Sequence, residues 1–319
     1  MIIVEQEKVE IVLATYNGEK YLREQLESIL NQSYSNIIIT IWDDGSIDST
    51  NEILQGYQTV FSDRIRIIEN VGVSLGVIGS FSRLLEHTQS EYVFLSDQDD
   101  YWVQGKVQKQ IDLIHKMEQK WGKDCPFLVH SDLNLVNEHL DTLHPSVLDY
   151  IGRNPYKRDL NHLLVTNFVA GCSILMNRKL LEIAVPFPSG ILAHDWWLTL
   201  VASAIGEIGF IQDPLVDYRQ HGSNAVGAKK SASILKLKEL VKKIQKFMFN
   251  ENRLSDRINQ AKVLKTRTEI MLNADQVEMI DAFVELVHRN YLLKRIILLR
   301  YGFLKHKPIQ IFSQLFRIT

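Results

Sequence analysis

Tyr92-Val93-Phe94-Leu95-Ser96-Asp97-Gln98-Asp99-Asp100 runs from an apolar stretch straight into three carboxylates within four residues. A short apolar run bounded by turn residues reads as a buried strand, so the acids stand at its carboxyl end. Like charges this close repel unless water or a cation neutralises them. Mg2+ and Mn2+ take oxygen ligands and complete their shells with phosphate oxygens, and such an ion stabilises charge building on a diphosphate leaving group. A polar turn or a helix start, where acids are also favoured, is the plainer alternative.

The flanking sequence repeats the pattern. Val9 to Ala14 is an apolar run ending in Thr15-Tyr16-Asn17-Gly18, and Asn36 to Trp42 ends in Asp43-Asp44-Gly45-Ser46. Ile65 to Ile68 supplies another strand. Helical spacing appears between them, at Leu22, Leu26, Ile29 and Leu30, over Asp48 to Gln58, over Gly76 to His87, and at Val107, Ile111, Ile114 and Met117. Strands alternating with helices give an α/β fold with a mostly parallel sheet covered on both faces, whose ligands bind beyond the carboxyl ends of the strands. Turn chemistry alone explains one polar cluster there; three on one rim point to a crevice.

Further on, Phe127 to His130 and Ser173 to Met176 read as strands, with a long segment between them carrying short helices over the crevice. His194-Asp195-Trp196-Trp197 opens a helix running to Ile205, and Ile208 to Ile211 and Val216 to Arg219 read as edge strands. After Gly227 the pattern becomes helical to the end. Two domains are expected: a catalytic domain over 1–228 and a basic helical region over 229–319. From Lys229 to Thr319 there are 19 Lys+Arg against 8 Asp+Glu, although the whole chain of 319 residues has a net charge of only −2. The total gives no nucleic-acid signature. A basic amphipathic tail suits either a solvated surface or an anionic partner such as a membrane face.

Two cysteines, without zinc-ligand spacing, are read as free thiols in a reducing compartment. Neither a signal peptide nor eighteen consecutive apolar residues is found, so a cytoplasmic protein is expected, with peripheral contact on the inner membrane face.

The residue types on the rim suggest roles. Asp43 and Asp44 offer carboxylates to a base N–H or ribose hydroxyl, though Asp-Gly is also a turn dipeptide. Tyr16 offers a stacking face or packs as an ordinary aromatic. Asp195 is placed to act as a general base toward an acceptor hydroxyl, or simply to cap its helix. Trp196 and Trp197 are candidates for stacking on a sugar ring, with at least one of them expected in the core. Arg219 is a candidate phosphate partner, and His221 a candidate metal ligand.

Taken in order, these motifs resemble the family 2 glycosyltransferases, inverting enzymes of the GT-A fold. The resemblance spans roughly the first 225 residues: Ala14 to Gly18, Asp43 to Thr50, Ser96 to Asp100, then His194-Asp195. It implies that Thr15, Tyr16 and Asn17 line the nucleoside site with Tyr16 beside the base. Asp44 contacts the base with Asp43 its neighbour. Asp97 and Asp99 form the DxD pair reaching the ribose and a Mn2+ or Mg2+ ion, with Asp99 the direct ligand. Asp195 is the base, and His221 resembles a late histidine that reaches the metal or diphosphate. Asp100 joins the two tryptophans as an acceptor or sugar contact.

Ser-Asp-Gln-Asp-Asp-Tyr-Trp and His-Asp-Trp-Trp are similar to bacterial rhamnosyltransferase-like members. These imply dTDP-L-rhamnose as donor and a saccharide or undecaprenyl-diphosphate-linked acceptor in surface polysaccharide synthesis. A UDP-hexose or UDP-N-acetylhexosamine donor, and a non-catalytic nucleotide-sugar-binding component, are the alternatives. A nucleotidyltransferase fits poorly, because Thr15-Tyr16-Asn17-Gly18-Glu19-Lys20 lacks its Gly-rich, cationic loop. The Gln-x-x-Arg-Trp motif of processive polymerases is absent. The basic helices would serve membrane contact or a homodimer.

Overall fold

The computed structural model describes residues 6–221 and 254–304, with residue 311. The boundary at 228/229, the start of the basic region and its end beyond 304 lie outside the described residues.

Nine strands form one sheet. β1 (Val9–Thr15), β2 (Ile37–Asp43), β3 (Ile65–Ile68) and β4 (Tyr92–Ser96) lie parallel in the order β3-β2-β1-β4. β2 is buried along its whole length, as befits a β-branched run with helices on both faces. The sheet continues through β8 (Leu175–Asn177), β6 (Phe127–Val136), β9 (Glu207–Arg219) and β5 (Tyr101–Trp102), with β7 (Thr142–His144) paired to β6. β8 is antiparallel to both neighbours, so this half is mixed. The α/β fold read from the sequence is borne out.

The helices are α1 (Leu22–Leu30), α2 (Thr50–Val60), α3 (Gly76–Glu86), α4 (Lys106–Trp121), α5 (Val147–Ile151), α6 (Leu160–Val165), α7 (Arg178–Ala184), α8 (His194–Ile205), α9 (Leu254–Thr268), α10 (Ala274–Val284) and α11 (Tyr291–Arg300). The apolar stripe of α1 buries Leu22, Leu26 and Ile29. Thr50 opens α2, its N–H bonded to Asp48 Oδ1 at 3.0 Å. Ile258, Leu264, Ile280, Phe283 and Leu298 of α9–α11 join the same apolar core as the sheet.

One reading needs correction. The separate edge strands at 208–211 and 216–219 are one strand, β9, inserted between β6 and β5. Register shifts near Asp132, opposite Pro214, break its pairing with β6 and hide its continuity in the sequence. β5 was not foreseen, because two residues carry no periodicity. Among the described residues no helix is long and apolar enough to cross a membrane.

Candidate active site

Register sets the site. Thr15 pairs with Asp43 across β1 and β2, and Leu13 with Ser96 across β1 and β4. The three polar clusters therefore leave the sheet side by side. Thr15 Oγ1 donates to Asp43 Oδ1 at 2.7 Å, and the Asn17 N–H donates to Ser46 Oγ at 2.8 Å. Asn17 has a left-handed φ of 49° and accepts the Ile47 N–H on Oδ1 at 2.9 Å, a backbone region that asparagine tolerates better than most residues.

Asp43 and Asp44 brace the rim. Asp43 also accepts Ser46 Oγ, the Ser46 N–H and Asn51 Nδ2. Asp44 accepts Trp42 Nε1, Ser74 Oγ and the N–H groups of Leu75 and Gly76 at the start of α3. Each carboxylate thus takes four hydrogen bonds, about its full acceptor capacity. Burial opposes the charge on Asp44, but the bonds from Leu75, Trp42, Ser74 and Gly76 outweigh it and hold its pKa below the ordinary value. Thr15 is likewise buried in this brace. Tyr16 remains 55% exposed and is the open aromatic of the rim.

Gln98, passed over in the sequence reading, ties the first loop to the DxD loop. Its amide accepts the Tyr16 N–H at 2.8 Å and donates to the Tyr16 carbonyl at 3.0 Å. Gly18 makes room for it: a Cβ there would lie 2.3 Å from Gln98 Oε1. The signal was the non-acidic residue between two aspartates, which single-letter motifs treat as a spacer.

Asp195 lies close enough to Asp97 for its charge to act on that carboxyl. Burial, then the charges of Asp99 and Asp195, push the half-buried Asp97 carboxyl up to about 7. No hydrogen bond from a described residue reaches that carboxylate. Burial also pushes Asp195 up to about 7, against the N–H groups of Trp196 and Gly171, which hydrogen-bond it. Gly171 is a second unforeseen residue: a Cβ there would meet His194 Nε2 at 2.6 Å. His194 stacks on Phe81 at 4.1 Å, and burial pushes its pKa down to about 3, so it is neutral.

Asp99 Oδ2 lies 2.9 Å from His221 Nε2, and His221 packs on Tyr21 at 4.4 Å between centroids. The carboxylates of Asp97 and Asp99 with the imidazole of His221 supply oxygen and nitrogen donors of the kind that Mg2+ or Mn2+ takes. Asp97, Asp100 and Cys172 also bring ligand atoms within 4.8 Å of one another. That trio is poorly suited to a metal, because burial and the nearby Asp100 and Asp97 charges push the Cys172 thiol far up, keeping it protonated.

Burial sets four candidates away from the crevice, and the expectation of at least one core tryptophan is met by both. Trp196 and Trp197 are core residues whose Nε1 groups donate to the Leu163 and Ala184 carbonyls, so neither face is open to sugar. Asp100 lies beneath the floor, accepting the Arg219 N–H on Oδ1 at 3.2 Å. Arg219 is buried, and its guanidinium donates to the Asp99 carbonyl, the Glu138 carbonyl and Glu24 Oε2. It clamps the DxD loop, and phosphate has no access to it. Below it sits fully buried Lys106, Nζ donating to Gln110 Oε1 at 2.6 Å and lying 4.4 Å from the Trp102 ring centroid.

A mostly parallel sheet with acids at its carboxyl rim is the frame of a ligand site, and comparison with known proteins gives its class. The family model described as glycosyl transferase family 2 matches residues 10–182, and the chain belongs to this family. It is 29% identical over 227 residues to the dTDP-rhamnosyl transferase RfbG of Shigella flexneri, covering 68% of this chain and 74% of the relative. Among solved structures, S. aureus TarS residues 1–349 in complex with UDP-GlcNAc superposes with a TM-score of 0.56 at 14% identity, covering 92% of this chain and 80% of that one. The mannosyltransferase PcManGT of Pyrobaculum calidifontis, in complex with GDP-Man and Mn2+, gives 0.50 at 14% identity over 98% and 88%. The structural likenesses establish the fold; the family establishes glycosyl transfer.

Proposed function

We propose that the chain is an inverting, divalent-metal-dependent transferase that moves L-rhamnose from dTDP-L-rhamnose to a saccharide or lipid-diphosphate-linked acceptor of a bacterial surface polysaccharide. The observation that carries the mechanism is Asp195 at the start of α8, bonded by the Trp196 and Gly171 N–H groups, its charge reaching Asp97 and its carboxyl raised to about 7 by burial. A base near this pKa is ionised enough at neutral pH to work and basic enough to take a proton. The donor assignment rests on the named activity of the Shigella relative and on the Ser-Asp-Gln-Asp-Asp-Tyr-Trp and His-Asp-Trp-Trp motifs.

On this reading the base of the nucleotide stacks beside exposed Tyr16, while Asp43 and Asp44 hold the rim rigid. Asp97, Asp99 and His221 would hold the metal, which when bound stabilises the charge of the departing diphosphate. Asp195 takes the acceptor hydroxyl's proton as that oxygen bonds to the anomeric carbon. The bond from that carbon to the diphosphate breaks in the same displacement, inverting the centre.

Calorimetry of dTDP-L-rhamnose against UDP-glucose, UDP-galactose and UDP-N-acetylglucosamine, each with and without Mn2+, tests the donor and the metal. Metal-dependent binding of dTDP-rhamnose alone supports the assignment. Preference for a UDP-sugar removes the rhamnosyl reading and leaves the mechanism intact.

A further inference from the structure

The helix α11 turns an unusual face outward. Leu292, Ile296 and Leu299 recur at i, i+4 and i+7 and so share one stripe, and they are 66%, 50% and 59% exposed. The opposite side, with Lys294 and Leu298, is buried against the body. At 3.6 residues per turn, Arg295, half-buried with its guanidinium over the Tyr291 ring and donating to the Tyr291 carbonyl, flanks the stripe on one side and exposed Arg300 on the other. Arg300 stands 3.8 Å from Glu278, a surface pair, and Arg289 is 3.4 Å from Glu285. From Leu286 to Thr319 the chain contains no Asp or Glu and seven Lys+Arg.

We infer that this face of α11 docks on an anionic lipid surface, lying in its plane. Ten residues are too few to span a bilayer. An apolar stripe bordered by arginines, on a stretch without acids, has the profile of an interfacial helix. A second copy of the chain is the less fitting occupant. A two-fold contact sets the same patch against itself, and here that brings arginine toward arginine, whereas anionic headgroups complement both flanks.

The helix is also mechanically joined to the reaction centre. Asn161 of α6 donates to the Tyr301 carbonyl at the end of α11 at 3.0 Å, and the Leu163 carbonyl of α6 accepts Trp196 Nε1 at 2.7 Å. Trp196 follows Asp195. A docked α11 therefore fixes the crevice relative to the surface, where an acceptor with a lipid tail would sit. The inference goes beyond the donor assignment, and vesicle binding is read without any transfer.

The experiment is sedimentation of the full chain with vesicles of phosphatidylcholine alone, or with about one-third phosphatidylglycerol, across a salt series. The wild-type chain is expected to sediment with the anionic vesicles and to be released by salt. Leu292→Gln/Ile296→Gln/Leu299→Gln, with unchanged circular dichroism and nucleotide-sugar binding, is expected to bind more than about tenfold more weakly. Arg295→Gln/Arg300→Gln is expected to lose about tenfold on anionic vesicles and little on neutral ones. Wild-type chain left in the supernatant of both, or a triple variant binding like wild type, overturns the inference. A dimer seen by light scattering that the triple variant dissolves, without vesicle binding, assigns the face to a second copy instead.

Discussion

Arg219 Nε donates a 2.9 Å hydrogen bond to the backbone carbonyl of Asp99, while the Arg219 N–H donates to the carboxylate of the next residue, Asp100. One residue of β9 thus holds the DxD loop from side chain and backbone together, and its guanidinium lies 4.5 Å from the Tyr21 ring that also packs on His221. Replacing Arg219 by Met leaves the Asp99 and Glu138 carbonyls without these donors. Unfolding in urea should report a loss of about 2–4 kcal/mol. Calorimetry should report weaker Mn2+-dependent donor binding. Glu24→Gln, at a half-exposed partner, is expected to cost less than about 1 kcal/mol.

Asp195 should set the acidic limb of the pH profile. Its carboxyl is raised to about 7 by burial, and only the ionised form accepts a proton. Below that value kcat/KM is expected to fall by at least about tenfold per pH unit, more where protonation of Asp97, also raised to about 7, adds to the loss, and to level off above it. Asp195→Asn should abolish transfer while leaving donor affinity nearly unchanged. Lost donor binding in a folded Asp195→Asn protein would remove Asp195 from the role of base.

The contrast between Asp195 and its neighbours shows what the sequence could carry. Strand ends are legible because apolar runs stop at polar clusters, so the rim with Tyr16, Asp97 and Asp99 was found. Which way a rim side chain points is not legible. Asp43 and Asp44 read as ligands, yet Asp43 accepts from Thr15, Ser46 and Asn51, and Asp44 from Trp42, Ser74, Leu75 and Gly76, and the donors from residues 15 and 74–76 are announced by no local pattern. Trp196 and Trp197 follow Asp195 in sequence, but helical rotation sends them into the core. Arg219 reads as a phosphate partner until Glu24, Asp99 and Glu138 meet it from three distant segments. Gln98 and Gly18 matter only through each other, 80 residues apart.

That pair offers a test of rim geometry. Gly18→Ala sets a methyl group 2.3 Å from Gln98 Oε1, so the amide must leave the Tyr16 backbone. Displacing a positioning contact by about 1 Å costs up to about a hundredfold in rate. Gly18→Ala and Gln98→Ala should each raise the donor KM, and the double variant should be no worse than either single change. Additive losses would mean that the two residues act separately.

Lys106 gives a stability test remote from substrate. Burial lowers its pKa to about 7. An unfolded lysine titrates near 10.4. Between about pH 7 and pH 9.5 the unfolded chain therefore binds a proton at this site that the folded chain does not, and stability rises with pH. Lys106→Met keeps the chain length against Phe94 and Trp102 and removes the titrating amine. Urea midpoints should climb with pH in the wild-type chain and flatten in Lys106→Met, which loses about 1–3 kcal/mol at pH 7 because Gln110 Oε1 is left without the Lys106 donor. An unchanged slope in the variant would place the buried proton on another group.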